Sequence, residues 1–393
     1  MSEPKGMSLK INALPDKSDR VQIIGQSGKE LMEIIASADS DDFIVSLRPG
    51  VILDGASITP QELPQGKHEH TGEPAGPLEI PRNWKVEDGH LVVWSNSGNN
   101  AEVELPISEP GPYTPTGVKE IFGQDQMLFE TAMAIHLREP VMLTGPTGTG
   151  KTTVLEWFAM MLGYNLFKMS ITPKTESAHM IGEYLPGDEA GLYPFVYGPV
   201  AMATISSQSH PTMLVLDELS RIGNVAETAG ILPLLDDQRR LEIPQRRNET
   251  GHAEVLMAGN LFVAATSNPA DAEDDEVGVG DYLGVTELDP ALASRFTFHP
   301  TVGYPSPEIE TAALMDRVSG LNKSVAENMV QAANRIRQAA EVRFPISFRE
   351  LEGWAQAYPF LGYIRAAEIA VARKAHPSFR STILGMLNMT KVA

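Results

Sequence analysis

The sequence predicts an α/β fold built around a phosphate-binding loop, with a helical domain after it and a small, mostly β region before it. Three observations carry that expectation. Thr144–Thr153 reads TGPTGTGKTT between the apolar run Pro140–Leu143 and the apolar-periodic segment Val154–Ala159, so strand, glycine-rich turn and helix follow one another. Two more apolar runs, Met213–Leu216 and Leu261–Thr266, read as strands and end in Asp217-Glu218 and Ser267-Asn268-Pro269. From Ser306 onward, apolar residues recur at helical spacing.

The loop carries the chemistry. Gly145, Gly148 and Gly150 reach backbone angles closed to other residues, which lets successive N–H groups face phosphate oxygens. The start of the next helix adds unpaired N–H groups and its positive dipole end. The expected nucleotide cradle is therefore Gly145, Pro146, Thr147, Gly148, Thr149, Gly150, Lys151, Thr152 and Thr153. Lys151 would reach the β- and γ-phosphates, and Thr152 would offer its hydroxyl to magnesium. Asp217 would hold the same Mg2+ and Glu218 would polarise the attacking water. Acidic pairs after strands are common as solvated turn residues; the phosphate loop about 65 residues earlier is what lifts this one above that reading.

Composition sets the limits. The chain has 393 residues, enough for two or three domains of about 150 residues. It has no cysteine, which excludes disulfides, thiolate metal sites and cysteine nucleophiles. The start, MSEPKGMSLK, lacks the apolar core of a signal peptide. No apolar run approaches the ~20 residues that span a bilayer, so a soluble, cytoplasmic protein without membrane contact is expected. A net charge of -20 repels phosphate backbones and argues against broad nucleic-acid binding.

Residues 1–115 read as a β-rich domain with a linker. Val21–Ile24, Phe43–Leu47 and Leu91–Trp94 are short apolar runs among Gly, Pro, Asn and Asp. His68 and His70 could be metal ligands, but a solvated loop is the better reading without third and fourth ligands at useful spacing. Ser108–Gly117 looks like a linker. Residues 116–303 form the expected nucleotide-binding domain: an amphipathic helix over Asp125–Leu137, the loop, a second strand at Leu166–Ile171 and a hairpin or loop insert over Met180–Pro199. A helix over Val225–Asp237 and a hairpin around QRRNETGH follow. Asn268 ends a strand where it could bridge water and γ-phosphate, or simply form a turn before Pro269. Asp271–Asp281 is an acidic loop, and Asp289 should cap a short helix beginning at Pro290 and ending at Ser294-Arg295-Phe296. Residues 304–393 form the helical domain, with breaks expected at Phe344-Pro345, Tyr358-Pro359 and His376-Pro377.

In order, IFGQ (Ile121–Gln124), GPTGTGKTT, YGP (Tyr197–Pro199), LVLDELSRI, the QRRNETGH hairpin, ATSNP, GDYLGVTELDPALASRF and PISFREL resemble the MoxR-type branch of the AAA+ ATPases, with its CbbQ and NorQ proteins. The resemblance covers about Val118 to the C-terminus. It implies an AAA+ parallel sheet with a helical lid, and ATPase activity with ATP and Mg2+. Lys151 and Thr152 then look like the Walker A pair, Asp217 and Glu218 like Walker B, and Asn268 like sensor 1. Arg295 looks like an arginine finger donated to a neighbouring subunit, and Arg349 like sensor 2 on the lid. Arg221 would face the same boundary, and the segments near Arg246 and Tyr193 would face a ring pore.

The resemblance further implies a homo-hexameric motor that remodels, activates or matures a target protein, often with a partner bearing a von Willebrand A domain. Residues 1–115 have no counterpart in the compact members and could recruit the target. Two competing readings remain open at this point. One is a nucleic-acid-associated motor of a restriction or defence complex, opposed by the charge and by the lack of a basic, aromatic-interleaved stripe. The other is a nucleotide-gated assembly scaffold, opposed by intact Glu218, Asn268 and Arg295.

Overall fold

The computed structural model describes the backbone of four strands within residues 10–47, and residues 82–389 apart from 97–100, 121, 188–190, 248, 269–288, 340–341 and 343. His68, His70 and the acidic loop Asp271–Asp281 lie outside the described residues. The chain separates into two compact units, Met1–Pro77 and Leu78–Ala393.

In the first unit, β1 (Lys10–Ala13), β2 (Arg20–Ile24), β3 (Glu30–Ala36) and β4 (Phe43–Leu47) form an antiparallel meander in sequence order. Each strand is hydrogen-bonded to the next, with Ile11 opposite Ile23 and Ile34 opposite Val45.

The second unit begins with β5 (Trp84–Glu87), β6 (His90–Trp94) and β7 (Glu102–Pro106), again antiparallel. Asp88 and Gly89 both take positive φ between β5 and β6, the backbone that a two-residue hairpin requires. Leu91, Val93 and Leu105 are fully buried with Met127 and Leu128 of α1 (Asp125–Leu137), and with Trp157 and Phe158 of α2 (Lys151–Leu162). Trp84 meets Trp157 edge to face. This sheet therefore shares the nucleotide-binding domain's core, and the compact units part after Pro77, well before the residue-115 boundary expected from composition.

The central sheet is made of β8 (Val141–Thr144), β9 (Asn165–Ser170), β12 (Thr212–Asp217) and β15 (Leu261–Ser267). All four are parallel, in the order β8-β15-β12-β9. The segment through Phe298 and Thr301 adds two parallel bridges beside β8. Every residue of β15 is buried, as a parallel strand covered on both faces must be. One face packs on α1, α2 and β5–β7. The other packs on α3 (Ser177–Ile181), α4 (Pro199–Ser206), α5 (Leu232–Leu235) and α6 (Pro290–Ala293). Two hairpins, β10 (Gly182–Tyr184) with β11 (Phe195–Tyr197) and β13 (Arg240–Arg247) with β14 (Ala253–Met257), complete this domain.

The helix expected over Val225–Asp237 is broken. A 3₁₀ turn covers Val225–Thr228 and α5 only Leu232–Leu235, since Gly230 and Pro233 interrupt the ladder between them. The C-terminal helices are α7 (Pro307–Arg317), α8 (Lys323–Gln338), α9 (Phe348–Leu361), α10 (Tyr363–Ala370) and α11 (Arg380–Met389), around a core containing Trp354, Leu351, Met329 and Ile336. Helix α9 does not break at Tyr358-Pro359. It runs on to Leu361, because a proline this close to the end disturbs only the last turn, and it stops at Gly362 with φ 71°. Among the described residues, no helix is long and apolar enough to cross a membrane.

Candidate active site

The parallel strands bring Thr144, Asp217 and Ser267 to the same C-terminal edge of the sheet, where open α/β sheets bind their ligands. Between β8 and α2 the loop makes a tight turn. Gly148 and Gly150 have φ of 78° and 92°, and a Cβ on Gly148 would collide with the side chain of Ser347 on the approach to α9. Helix α2 has no side-chain cap, so its first N–H groups point into the loop with their partial positive charge. The loop is shaped for an anion.

Lys151 is buried at the first turn of α2. Its Nζ donates to the carbonyls of Gly145 (2.7 Å) and Pro146 (2.8 Å) and to Asn268 Oδ1 (3.0 Å). Burial pushes its ammonium down to about 8, against the opposing pull of Asp217 and Glu218. A phosphate oxygen is a stronger acceptor than a carbonyl, so an incoming anion would win this ammonium from the loop.

Asp217 is the hub. One oxygen, Oδ1, accepts from Thr152 Oγ1 and from Thr266 Oγ1, each at 2.6 Å. Thr266 Oγ1 in turn accepts the backbone N–H of Glu218 at 2.9 Å. A hydroxyl beside a carboxylate is the hard-oxygen donor set that suits Mg2+, which keeps water and phosphate as its other ligands. Glu218 sits at φ 59°, a costly angle for a side-chain-bearing residue, and its Oε2 accepts Arg221 Nη1 at 2.7 Å.

The structure thus gathers Lys151, Thr152, Asp217, Glu218 and Asn268 at one sheet edge, Lys151 bonded to Asn268 and Thr152 linked through Asp217 and Thr266 to Glu218. Arg349, in the first turn of α9, lines a cavity of about 230 Å³ together with Gly148, Thr149, Gly150 and Thr153. Arg295 stands apart from the group: its Nε donates to Asp236 Oδ1 (2.9 Å) and its Nη1 to the carbonyl of Ala291 (2.7 Å).

Three contributors had no visible role in the sequence. Thr266 ties β15 to both acidic residues. Gln124 is buried and donates to the carbonyls of Thr149 (3.3 Å) and Gly303 (2.9 Å). Tyr304 lines the cavity and donates its hydroxyl to the carbonyl of Thr147 at 3.2 Å. The IFGQ lead-in contained Gln124, but nothing in its spacing pointed at the loop.

Away from the site, the hairpins β10–β11 and β13–β14 are joined. The hydroxyl of Tyr197 donates to both Glu254 oxygens at 3.0 Å, and Arg246 Nε lies 3.3 Å from Glu254 with its guanidinium over the Tyr197 ring. Burial, and then Glu254, raise the Tyr197 phenol above its ordinary value.

A family model described as AAA domain (dynein-related subfamily) matches residues 140–296. Protein NorQ of Paracoccus denitrificans is 30% identical over 218 residues, covering 55% of this chain and 70% of NorQ. Chaperone MoxR1 of Mycobacterium tuberculosis is 28% identical over 191 residues, covering 48% of this chain and 43% of MoxR1. Midasin of Dictyostelium discoideum is 27% identical over 234 residues, 57% of this chain but only 4% of midasin. The chain therefore spans less than half of the MoxR1 chaperone and a small piece of midasin.

Proposed function

This chain belongs to the MoxR-type branch of the AAA+ ATPases, and we propose that it is an ATP-hydrolysing ring motor that remodels, activates or matures a partner protein. Its AAA domain makes it a P-loop nucleoside triphosphatase. The observation that carries the proposal is the junction at Asp217, where one carboxylate oxygen gathers the loop hydroxyl of Thr152, the strand hydroxyl of Thr266 and, through Thr266, the backbone of Glu218. A chain that only bound nucleotide would not need the backbone of Glu218, the residue that carries the water-activating carboxylate, fastened through Thr266 to the metal-side carboxylate of Asp217.

Each residue then has a task. The N–H groups at the start of α2 and Lys151 hold the triphosphate of ATP. Thr152 and Asp217 would hold Mg2+, which would neutralise phosphate charge. Glu218 accepts a proton from the attacking water, and Asn268 orients that water. Arg349 reaches the phosphates from the lid. Arg295 is donated to the nucleotide of a neighbouring subunit in a homo-hexamer, where such a guanidinium is worth ~10³ or more in rate. The acidic net charge favours a protein target over nucleic acid. A von Willebrand A domain protein is the proposed partner, and the Met1–Pro77 unit the proposed recruiter.

The test is steady-state ATP hydrolysis over a range of protein concentrations, with Arg295→Ala beside the wild type. Specific activity that climbs with concentration and collapses in the variant is expected. A flat profile that survives the substitution would mean that each subunit works alone, and the ring reading fails. Affinity capture with Glu218→Gln in ATP should then retain the protein target.

A further inference from the structure

Arg295 is held by its own chain in a particular way. Its Nε donates to Asp236 and its Nη1 to the Ala291 carbonyl, while Nη2 has no protein partner among the described residues. Two bonds on adjacent nitrogens fix the plane of the guanidinium, which is rigid, and leave one end free to donate to a further oxygen. The side chain as a whole is 28% exposed, so it is partly open to solvent.

Both anchors of this clamp are themselves fixed. Leu292 and Phe296 are buried on either side of Arg295, and Asp289 Oδ1 caps α6 through the N–H groups of Ala291 (2.7 Å) and Leu292 (3.2 Å). Asp236 follows the buried Leu234 and Leu235 and opens a turn in which its carbonyl accepts the N–H of Arg239 at 3.0 Å. Arg239 then pins that turn by donating to the carbonyls of Arg138 (3.0 Å) and Leu261, the first residue of β15. A bridge as open as Asp236–Arg295 adds little to folding. Its effect is to remove freedom from a long side chain before that side chain is used.

Resting on the reading of Arg295 as a donated finger, we infer that Asp236 is the positioning residue that holds Arg295 in the pose required by the neighbouring subunit's nucleotide. The carboxylate bonds Nε and not Nη2, so it orients the finger without engaging its tip. Asp236 belongs to the donating subunit, and its loss damages the site next door rather than its own.

That asymmetry gives the experiment. In the full chain, Asp236→Ala should lower kcat by about 10- to 100-fold, the scale of a misplaced catalytic group, with unchanged affinity for a fluorescent ATP analogue and an unchanged melting temperature. Asp236→Asn, which keeps an acceptor oxygen, should fall less and covers the case in which the alanine variant folds poorly. Asp236→Ala mixed with Lys151→Ala should hydrolyse more ATP than the two separately, because the Lys151→Ala subunit still donates a correctly held Arg295. Asp236→Ala mixed with Arg295→Ala should recover nothing. An unchanged or raised rate in Asp236→Ala, or a loss that mixing with Lys151→Ala does not repair, overturns the inference. If Arg295→Ala is repaired by Lys151→Ala and Asp236→Ala is not, the positioning role alone fails. If Arg295→Ala loses no activity, the ring reading falls with it.

Discussion

The C-terminal edge of the parallel sheet and the pair of hairpins β10–β11 and β13–β14 are built to opposite rules. At the sheet edge, Lys151 bonds Asn268 while Thr152 and Thr266 share Asp217 through short hydrogen bonds, and most of these residues are buried. At the hairpins, Leu192 and Tyr193 are 53% and 60% exposed, and the polar side chains are spent on joining one hairpin to the other. Phosphoryl transfer depends on charges that are already in place, so its residues are tied down. Exposed apolar side chains such as Leu192 and Tyr193 are instead the kind that mark interaction sites.

The largest effect to expect comes from cutting away what supports the first region. Removing residues 1–77 should leave a folded chain with nucleotide affinity intact, because the contacts divide after Pro77. Removing residues 1–115 takes Leu91, Val93 and Leu105 out of the core beneath α1 and α2. At ~2 kcal/mol for each fully buried aliphatic side chain that is about 6 kcal/mol, comparable with the whole stability of many domains. Solubility and thermal melts of the two truncations check this; a well-folded 116–393 fragment would show that the small sheet is dispensable.

Glu218→Gln comes next. It keeps the size of the side chain and can still accept from Arg221, but it cannot take a proton from water. Turnover should fall ~10²–10⁴-fold, the usual contribution of a positioned general base, while ATP affinity changes little. Single-turnover hydrolysis beside equilibrium binding measures both, and normal turnover would remove Glu218 from the chemistry.

A smaller effect follows from burial of Lys151, whose folded value of about 8 lies below the ordinary 10.5. The charged ammonium is the form that binds phosphate. Raising pH through about 8 strips its proton in the free protein, so ATP affinity should drop about tenfold between pH 7 and 9. Folding responds with the opposite sign: between about 8 and 10.5 the unfolded lysine keeps its proton while the folded one does not, so Lys151 contributes stability that rises with pH in that window. Lys151→Arg should flatten the binding profile, since guanidinium stays charged. Wild-type affinity that is level from pH 7 to 9 would contradict the burial argument.

What the sequence revealed follows from the same contrast. Lys151, Thr152, Asp217 and Asn268 stand at fixed places relative to a strand end or a glycine turn, so the chain itself displays them. Thr266 does equal structural service, yet it reads as one more residue of a buried strand, because its partner Asp217 lies 49 positions away. Asp236 is hidden in the same way, 59 positions from Arg295. The packing of strands β5–β7 is hidden for a related reason. Their surroundings are rich in turn residues, like the rest of the first region, and only three-dimensional packing shows that Leu91, Val93 and Leu105 belong under α1 and α2. Pro359 and Gly230 show the limits of local breakers, one overruled near a helix end and one decisive with Pro233.

The smallest effect tests whether the two hairpins move as one. Tyr197→Phe removes the hydroxyl that reaches Glu254 and Arg246 but leaves the Arg246–Glu254 pair in place. A hydrogen bond of this kind contributes about 1 kcal/mol, roughly a fivefold change in the population of an opened state. Tyr197 touches none of the phosphate-loop group, so basal ATP hydrolysis should stay within about twofold of wild type on the same scale. Amide hydrogen exchange should quicken in both Gly182–Tyr197 and Arg240–Met257, because Glu254 and Arg246 then hold the insert through one link fewer. Faster exchange confined to Gly182–Tyr197 would mean that the hairpins open separately. In that case the exposed Leu192 and Tyr193 ride on a flap of their own.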